Sequence, residues 1–231
     1  LEVFPRGKTG EYTVPDDVDV IRSNVFRYSN ITRLTIGNGV TEIMRNAFYS
    51  CKALQILEFK GEGTEPLTID PSAFYSTNNL TTLRLPARLA EIELNMLNAF
   101  TKLTTLEVEN NGVNYGAVNN ILTNGAKTAI LYAPMAVSGE FEIPKGIREI
   151  GPNAFANRPN LTKIIIPNYV NVVGSAAFQN CTGITEVIVE GSRSNDLTIG
   201  TNAFAGCRGL ASVTFLGNGT ATPDTGAISI G

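Results

Sequence analysis

Ile150-Gly151-Pro152-Asn153-Ala154-Phe155, followed at a short distance by Leu161-Thr162-Lys163-Ile164-Ile165-Ile166-Pro167, is the stretch that decides the fold. Near copies recur along the chain. One is Ile43…Asn46-Ala47-Phe48…Cys51…Leu54…Leu57…Phe59, and another is Ile199…Asn202-Ala203-Phe204…Cys207…Leu210…Val213…Phe215. A unit this short has an apolar face but no room for a core of its own. It can bury that face only against the next unit, so the recurrence predicts a solenoid.

The Phe of each unit serves as an anchor: Phe26, Phe48, Phe74, Phe155, Phe178 and Phe204. A seventh unit is disguised. Asn98-Ala99-Phe100 resembles the motif but is out of phase, because in good units the Phe stands five residues after an aliphatic (Ile43 to Phe48, Ile150 to Phe155). From Ile92 that count reaches Leu97, and Phe100 falls three later, where other units carry Cys. The anchor spacings are then 22, 26, 23, 58, 23 and 26 residues. The long gap holds residues 110–144, where Ile130, Tyr132, Phe141 and Ile143 alternate at the period of a strand. A hairpin-like insert that continues the stack is expected there.

A longer period lies above the short one. Gly10-Glu11-Tyr12-Thr13-Val14-Pro15…Phe26 matches Gly139-Glu140-Phe141-Glu142-Ile143-Pro144…Phe155 at an offset of 129, and Leu67-Thr68-Ile69 matches Leu197-Thr198-Ile199 at 130. The chain is therefore expected to be one solenoid domain, 1–231, made of two tandem blocks at about 1–109 and 110–231. Ile228-Ser229-Ile230-Gly231 resembles Leu197 to Gly200, so a further unit is expected to begin there.

Leu-x-x-Ile-x-Ile-Pro has period-two character at its end and is stopped by Pro, which cannot donate to a ladder. It reads as the main strand of each coil, and stacked copies make a parallel sheet with strands about 4.8 Å apart. Inward positions are Leu80, Leu83 and Leu85; Leu161, Ile164 and Ile166; Ile184, Val187 and Val189. A shorter second strand precedes each anchor (Val40 to Ile43, Leu67 to Ile69, Ile147 to Ile150, Val170 to Val173). The Asn-Ala-Phe segment reads as a turn of helix. Asn24, Asn46, Ser72, Asn95, Asn153 and Asn202 stand two residues before the anchor, where they would cap it, and Ala176 breaks the series.

The unit resembles the BspA-like leucine-rich repeats of bacterial and protist surface proteins, which read approximately Ile-Gly-x-x-Ala-Phe-x-x-Cys-x-x-Leu-x-x-Ile-x-Ile-Pro. The resemblance covers nearly the whole chain. It implies an α/β, mostly β, right-handed leucine-rich-repeat superhelix with a parallel sheet on one face and short helical turns on the other. It also implies an extracellular or cell-surface location and a role in adhesion or protein binding. The implied partner is a protein, on a host or on the producing cell; a glycan partner and a structural spacer are the alternatives. A monomer is expected.

Composition fits that reading and removes others. There is no His, which eliminates Ser-His-Asp and Cys-His nucleophiles, His-ligated zinc and the commonest general base. No Trp is present to form an indole sugar platform. A two-carboxylate glycosidase would need acids gathered by a break in the pattern, and no repeat provides one. No enzyme activity, cofactor or metal site is expected. The net charge of −3 with interspersed signs offers no phosphate-binding footprint, so nucleic acid is not a partner. No apolar run approaches a membrane span, and the given sequence opens without the basic stretch and apolar core of a signal peptide.

Cys51, Cys181 and Cys207 each lie three residues after their anchor, a slot that Ser29, Thr77, Phe100 and Arg158 fill elsewhere. Such a slot is for packing, and buried reduced thiols are expected. Stacking of adjacent units leaves a Cys181–Cys207 disulfide open as the alternative. Gly7-Lys8-Thr9 lacks the upstream Gly of a phosphate loop and is followed by a strand. Asp16, Asp17 and Asp19 lack the Gly and distal Glu of a calcium loop. Asn30, Asn79, Asn160, Asn180 and Asn218 open glycosylation-acceptor triplets that follow from the repeat consensus.

Outward positions of the main strands form two columns. One runs Arg33, Ile56, Thr82, Thr105, Lys163, Glu186, Ser212; the other runs Thr35, Glu58, Arg84, Glu107, Ile165, Ile188, Thr214. Solenoids present such surfaces to partners. Arg33, Glu58, Thr82, Arg84, Glu107, Lys163, Ile165, Glu186 and Ile188 are the candidate partner-binding residues. Tyr28, Tyr49 and Tyr75 form a second candidate set on the turn side, with inter-repeat packing as the competing explanation.

Overall fold

A computed structural model gives the fold, and it describes residues 1, 4–5, 7–109, 112–191 and 196–217. Chain contacts divide into two compact units, Leu1–Ala126 and Lys127–Gly231. The expected unit beginning at Ile228 and the acceptor triplet at Asn218 lie outside the described residues.

In the first unit long and short strands alternate: β1 (Thr9–Thr13), β2 (Val20–Ile21), β3 (Asn30–Ile36), β4 (Glu42–Ile43), β5 (Ile56–Phe59), β6 (Leu67–Ile69), β7 (Thr82–Leu85), β8 (Leu89–Glu91) and β9 (Thr105–Val108). The hairpin β10 (Tyr115–Val118) and β11 (Ile121–Asn124) follows. The second unit continues with β12 (Ala129–Tyr132), β13 (Gly139–Glu142), β14 (Glu149–Ile150), β15 (Leu161–Ile166), β16 (Val172–Val173), β17 (Glu186–Glu190), β18 (Thr198–Ile199) and β19 (Ser212–Leu216).

The main strands pair in parallel, β1-β3-β5-β7-β9 in the first unit and β13-β15-β17-β19 in the second. The short strands make a second parallel ladder in each unit, β2-β4-β6-β8 and β12-β14-β16-β18. The expected single sheet is thus two sheets per unit. The short strands were legible, but their pairing partners were not, because two residues carry too little pattern. Only part of the expected insert is a hairpin: β10 and β11 are antiparallel across Asn119 and Asn120, both at positive φ as a two-residue hairpin turn requires. Residues 129–142 form an ordinary coil whose strands pair in parallel with β14 and β15.

The core lies between the sheets and the anchor turns. Leu80, Leu83, Leu85, Leu161, Ile164, Ile166, Ile184, Val187 and Val189 are all buried, as the strand phase predicts. The anchor rings stack coil on coil: Phe26–Phe48 at 5.1 Å, Phe48–Phe74 at 4.7 Å, Phe155–Phe178 at 5.0 Å and Phe178–Phe204 at 5.2 Å. In the disguised unit Leu97 and Phe100 are both buried, and it is the Phe100 ring that meets Phe74, edge-on at 5.6 Å. At β19 the inward pattern opens, and Phe215 and Leu216 are more than half exposed.

The anchor segments are not helical, against expectation. Asn24, Asn46, Asn153, Ala176 and Asn202 all have φ between 56° and 64°. A helix N-cap is extended instead. Backbone bonds Ala47 N–H to Met44 O (3.2 Å), Ala154 to Gly151 (3.3 Å) and Ala177 to Gly174 (3.2 Å) close four-residue turns with positive φ at the third position, which is the type II geometry. A second such residue stands two after the anchor (Tyr28, Ser50, Ser76, Asn157, Asn180, Gly206). Asn is selected here because it tolerates the left-handed region, not because it caps. These turns form a third ladder: Phe48 N–H donates to Ala73 O (2.9 Å) of the next coil, and Ser50 N–H to Tyr75 O (3.0 Å). Phe178 and Asn180 repeat this with Ala203 and Ala205, both at 2.8 Å. The one helix among the described residues, α1 (Leu94–Leu97), belongs to the disguised unit, and its cap is Glu93 instead of Asn95.

Candidate functional site

The registers align the candidate residues as the strand phase predicts within each unit. In the first, Glu11, Arg33, Ile56, Thr82 and Thr105 form one outward column, and Thr13, Thr35, Glu58, Arg84 and Glu107 the other. In the second, the columns are Glu140, Lys163, Glu186, Ser212 and Glu142, Ile165, Ile188, Thr214. The expectation of columns running unbroken through both blocks is corrected. The main strands belong to two separate sheets, because the hairpin β10–β11 pairs antiparallel and does not extend the β1–β9 ladder.

On the first sheet charge runs across four strands. Glu58 accepts from Arg33 through Nε at 3.1 Å and Nη2 at 3.3 Å, from Thr35 Oγ1 at 3.1 Å and from Arg84 Nη1 at 3.0 Å. Arg84 Nε then donates to Glu107 at 2.7 Å. Partial burial disfavours the Glu58 carboxylate, but the bonds from Arg33, Thr35 and Arg84 outweigh it and hold its pKa below the usual value. Each exposed pair adds little stability. Thr82 is half-buried beside this ladder.

The second sheet has a different face. Lys163 lies between Glu140 (3.4 Å) and Glu186 (3.5 Å). Beside them Ile165 and Ile188 are directly paired and half-buried, so the strip they form is narrower than two freely exposed side chains would give.

The turn side carries aromatics. Tyr49 packs between Tyr28 (5.6 Å, edge-on) and Tyr75 (5.7 Å, 17° between planes). The Arg27 guanidinium lies 4.7 Å from the Tyr28 ring centre and 5.0 Å from that of Tyr49. Inter-repeat packing and exposure coexist here: Tyr28 is 49 % and Tyr75 64 % exposed.

The slot three residues after the anchor has a more specific use than packing. Cys51 Sγ donates to Phe26 O (2.9 Å), Cys181 to Phe155 O (2.9 Å), Cys207 to Phe178 O (3.1 Å), and Thr77 Oγ1 to Phe48 O (2.5 Å). A short side chain with one donor fits, which explains the exchange of Cys, Ser and Thr. All three cysteines are free and buried, and burial pushes the Cys181 thiol up to about 12. Arg158 fills the slot differently: its buried guanidinium donates to the carbonyls of Ala133 and Ala156 and lies 4.9 Å from the Tyr132 ring centre.

Chemistry that the sequence left open is spoken for locally. Asp16 accepts from Asn38 N–H and pairs with Lys60 at 2.8 Å. Thr9, after Lys8, begins a strand. Among the described residues no three acidic, Cys or His groups converge on a metal position, and no helix is long and apolar enough to cross a membrane.

Stacked parallel coils, an inward aliphatic ladder and an in-phase Phe stack define a leucine-rich-repeat solenoid. The chain belongs to the BspA-type leucine-rich-repeat family, whose model matches six copies over residues 2–120 and 137–225. No protein of curated function matches the sequence significantly. Among solved structures it is similar to the pneumococcal vaccine antigen PcpA, with 18 % identity and a TM-score of 0.61 over 89 % of this chain. The chain spans 62 % of that protein's solved length. It is also similar to a leucine-rich repeat protein from Eubacterium ventriosum, with 23 % identity and a TM-score of 0.52, covering 90 % of this chain and 72 % of that one. At these identities the likeness concerns the fold.

Proposed function

We propose that the chain is a non-enzymatic protein-binding or adhesion module at the cell surface, presenting the outward faces of its main-strand sheets to a protein of a host or of the producing cell. The scaffold is a right-handed superhelix of two tandem blocks, about 1–109 and 110–231, and acts as a monomer. One observation carries the reading. Each main-strand sheet carries two registered outward columns that take no part in the core, which the inward positions form. Family membership and the likeness to a pneumococcal vaccine antigen support the extracellular setting. Arg33, Glu58, Thr82, Arg84 and Glu107 would supply charge-assisted and polar contacts, and Ile165 and Ile188 an apolar contact flanked by Lys163 and Glu186.

The test is a binding screen of the purified chain against a panel of purified extracellular proteins, with Ile188→Lys and Arg84→Glu as variants. Loss of a partner in either variant, with the melting temperature retained, is the expected result. Partners held undiminished by both would remove the sheet faces from consideration. A structural spacer is the second reading, favoured by the mutual pairing of Arg33, Glu58, Arg84 and Glu107, which leaves no charge of that ladder unmet.

A further inference from the structure

The two blocks provide an internal control. Residues of the first block have equivalents in the second at offsets of 129 before the main strand of the first coil and 130 beyond it, as Phe26 to Phe155 and Phe48 to Phe178 show. The turn ladders at these positions use the same backbone bonds: Tyr28 N–H to Tyr49 O at 3.0 Å corresponds to Asn157 N–H to Gln179 O at 2.7 Å. Yet the side chains differ consistently. Arg27, Tyr28, Arg45, Tyr49, Lys52 and Tyr75 correspond to Ala156, Asn157, Ser175, Gln179, Thr182 and Ala205. The backbone bonds of the turn ladder therefore form without aromatics or cations and do not require them in the first block.

What they build there is an offset stack of planar groups on successive coils, ending in the largely exposed Tyr75 ring. The Arg27 guanidinium lies 5.0 Å from the Tyr49 ring, and Tyr49 lies 5.7 Å from Tyr75, nearly parallel. Arg45 and Lys52, exposed on the same coil as Tyr49, pair with no carboxylate among the described residues. Cations beside aromatic faces select a ligand with both negative charge and flat apolar faces.

We propose that this turn face binds an acidic polysaccharide, with a sugar ring lying against the exposed Tyr75 ring that Tyr49 backs, and carboxylate or sulfate groups meeting Arg27, Arg45 and Lys52. An acidic peptide is the poorer fit. Peptides gain affinity by seating apolar anchors in pockets, whereas the residues that follow these tyrosines in the chain are Ser50 and Ser76, and the nearby Ala47 and Ala73 are fully buried. Single-stranded nucleic acid needs a positive groove along its backbone, and here the cations stand on two coils of a chain whose net charge is −3. This surface is separate from the sheet faces, so either assignment can fail without the other.

The experiment is calorimetric titration of the whole chain with a hyaluronan hexasaccharide and with hexagalacturonate. Cellohexaose, hexaglutamate and a dT hexanucleotide are the comparison ligands. The variants are Tyr49→Gln with Tyr75→Ala, which installs the second block's own residues, and Arg45→Ala with Lys52→Ala. Tyr75→Ala alone is the fallback should the pair melt early, since that ring is largely exposed. At least one acidic hexasaccharide should saturate a single site, about tenfold more tightly than cellohexaose. The tyrosine variants should weaken it about tenfold, and the cation variant should also flatten its salt dependence. Absence of binding by both acidic sugars, equal affinity for hexaglutamate or the hexanucleotide, or undiminished binding by the folded variants would each overturn the proposal.

Discussion

Replacing Ala176 by Gly should stabilise the protein. Ala176 occupies the left-handed position of its turn at φ 56°, where the equivalent coils carry Asn24, Asn46, Asn153 and Asn202. Its N–H already donates to Thr201 O at 3.0 Å, and the turn is closed by Ala177 N–H to Gly174 O at 3.2 Å, so the backbone has no freedom to relax. A Cβ in that region costs about 1–2 kcal/mol. Glycine removes that cost but gives up about 0.5–1 kcal/mol by its greater freedom in the unfolded chain. The balance is a gain of about 0.5–1 kcal/mol, or about 1–4 °C in melting temperature for a chain of this size. Ala176→Asn should move the same way, and Asn46→Ala the opposite way. Urea and thermal melts followed by circular dichroism read all three. The sign is decisive, because in a helical turn Ala to Gly would instead lose about 1 kcal/mol. A lower melting temperature for the Gly variant would refute the left-handed turn.

Phe48→Ala should cost about 3–5 kcal/mol, since the ring is fully buried and stacked between Phe26 and Phe74, with no way for one coil to collapse without displacing its neighbours. Equilibrium urea unfolding checks it, and a loss under 1 kcal/mol would contradict the stacked core. The Cys181 thiol has its pKa pushed from 9.0 up to about 12 by burial, so the folded state holds the proton that the unfolded chain gives up. Stability should be intact below pH 9 and decline as the pH rises from there toward 12, and a Cys181→Ser variant, which keeps the donor to Phe155 O, should lose part of that decline. In the native protein at pH 8 all three thiols should resist iodoacetamide, and after denaturation without reductant all three should be alkylated; a product carrying one adduct, with two carbamidomethyl groups missing and two hydrogens lost, would establish a disulfide.

Repetition made most of the fold legible. A motif that recurs in phase averages out the ambiguity of any one short segment, so the strand phase, the inward positions and the displaced count at Leu97 could all be read from residue spacing. The same spacing predicted which outward residues share a column, because period two along a strand and a fixed coil length together determine it. The turn was misread for a physical reason: Asn is favoured both at helix caps and in the left-handed region, and only φ separates the two. Pro152 before Asn153 was a signal of the type II turn, since Pro favours its second position and Asn its third.

What the sequence determined by itself is the existence of a stack, because units too short to own a core must share one. Tertiary structure alone decided which neighbours complete each contact. The thiol of one coil satisfies a Phe carbonyl of the coil before it, Glu58 gathers Arg33 and Arg84 from strands on either side, and Tyr49 meets Arg27 and Tyr75 across successive turns. Those contacts join residues more than 20 positions apart, and hydrogen bonding and ring packing depend on distances and angles that residue order does not contain.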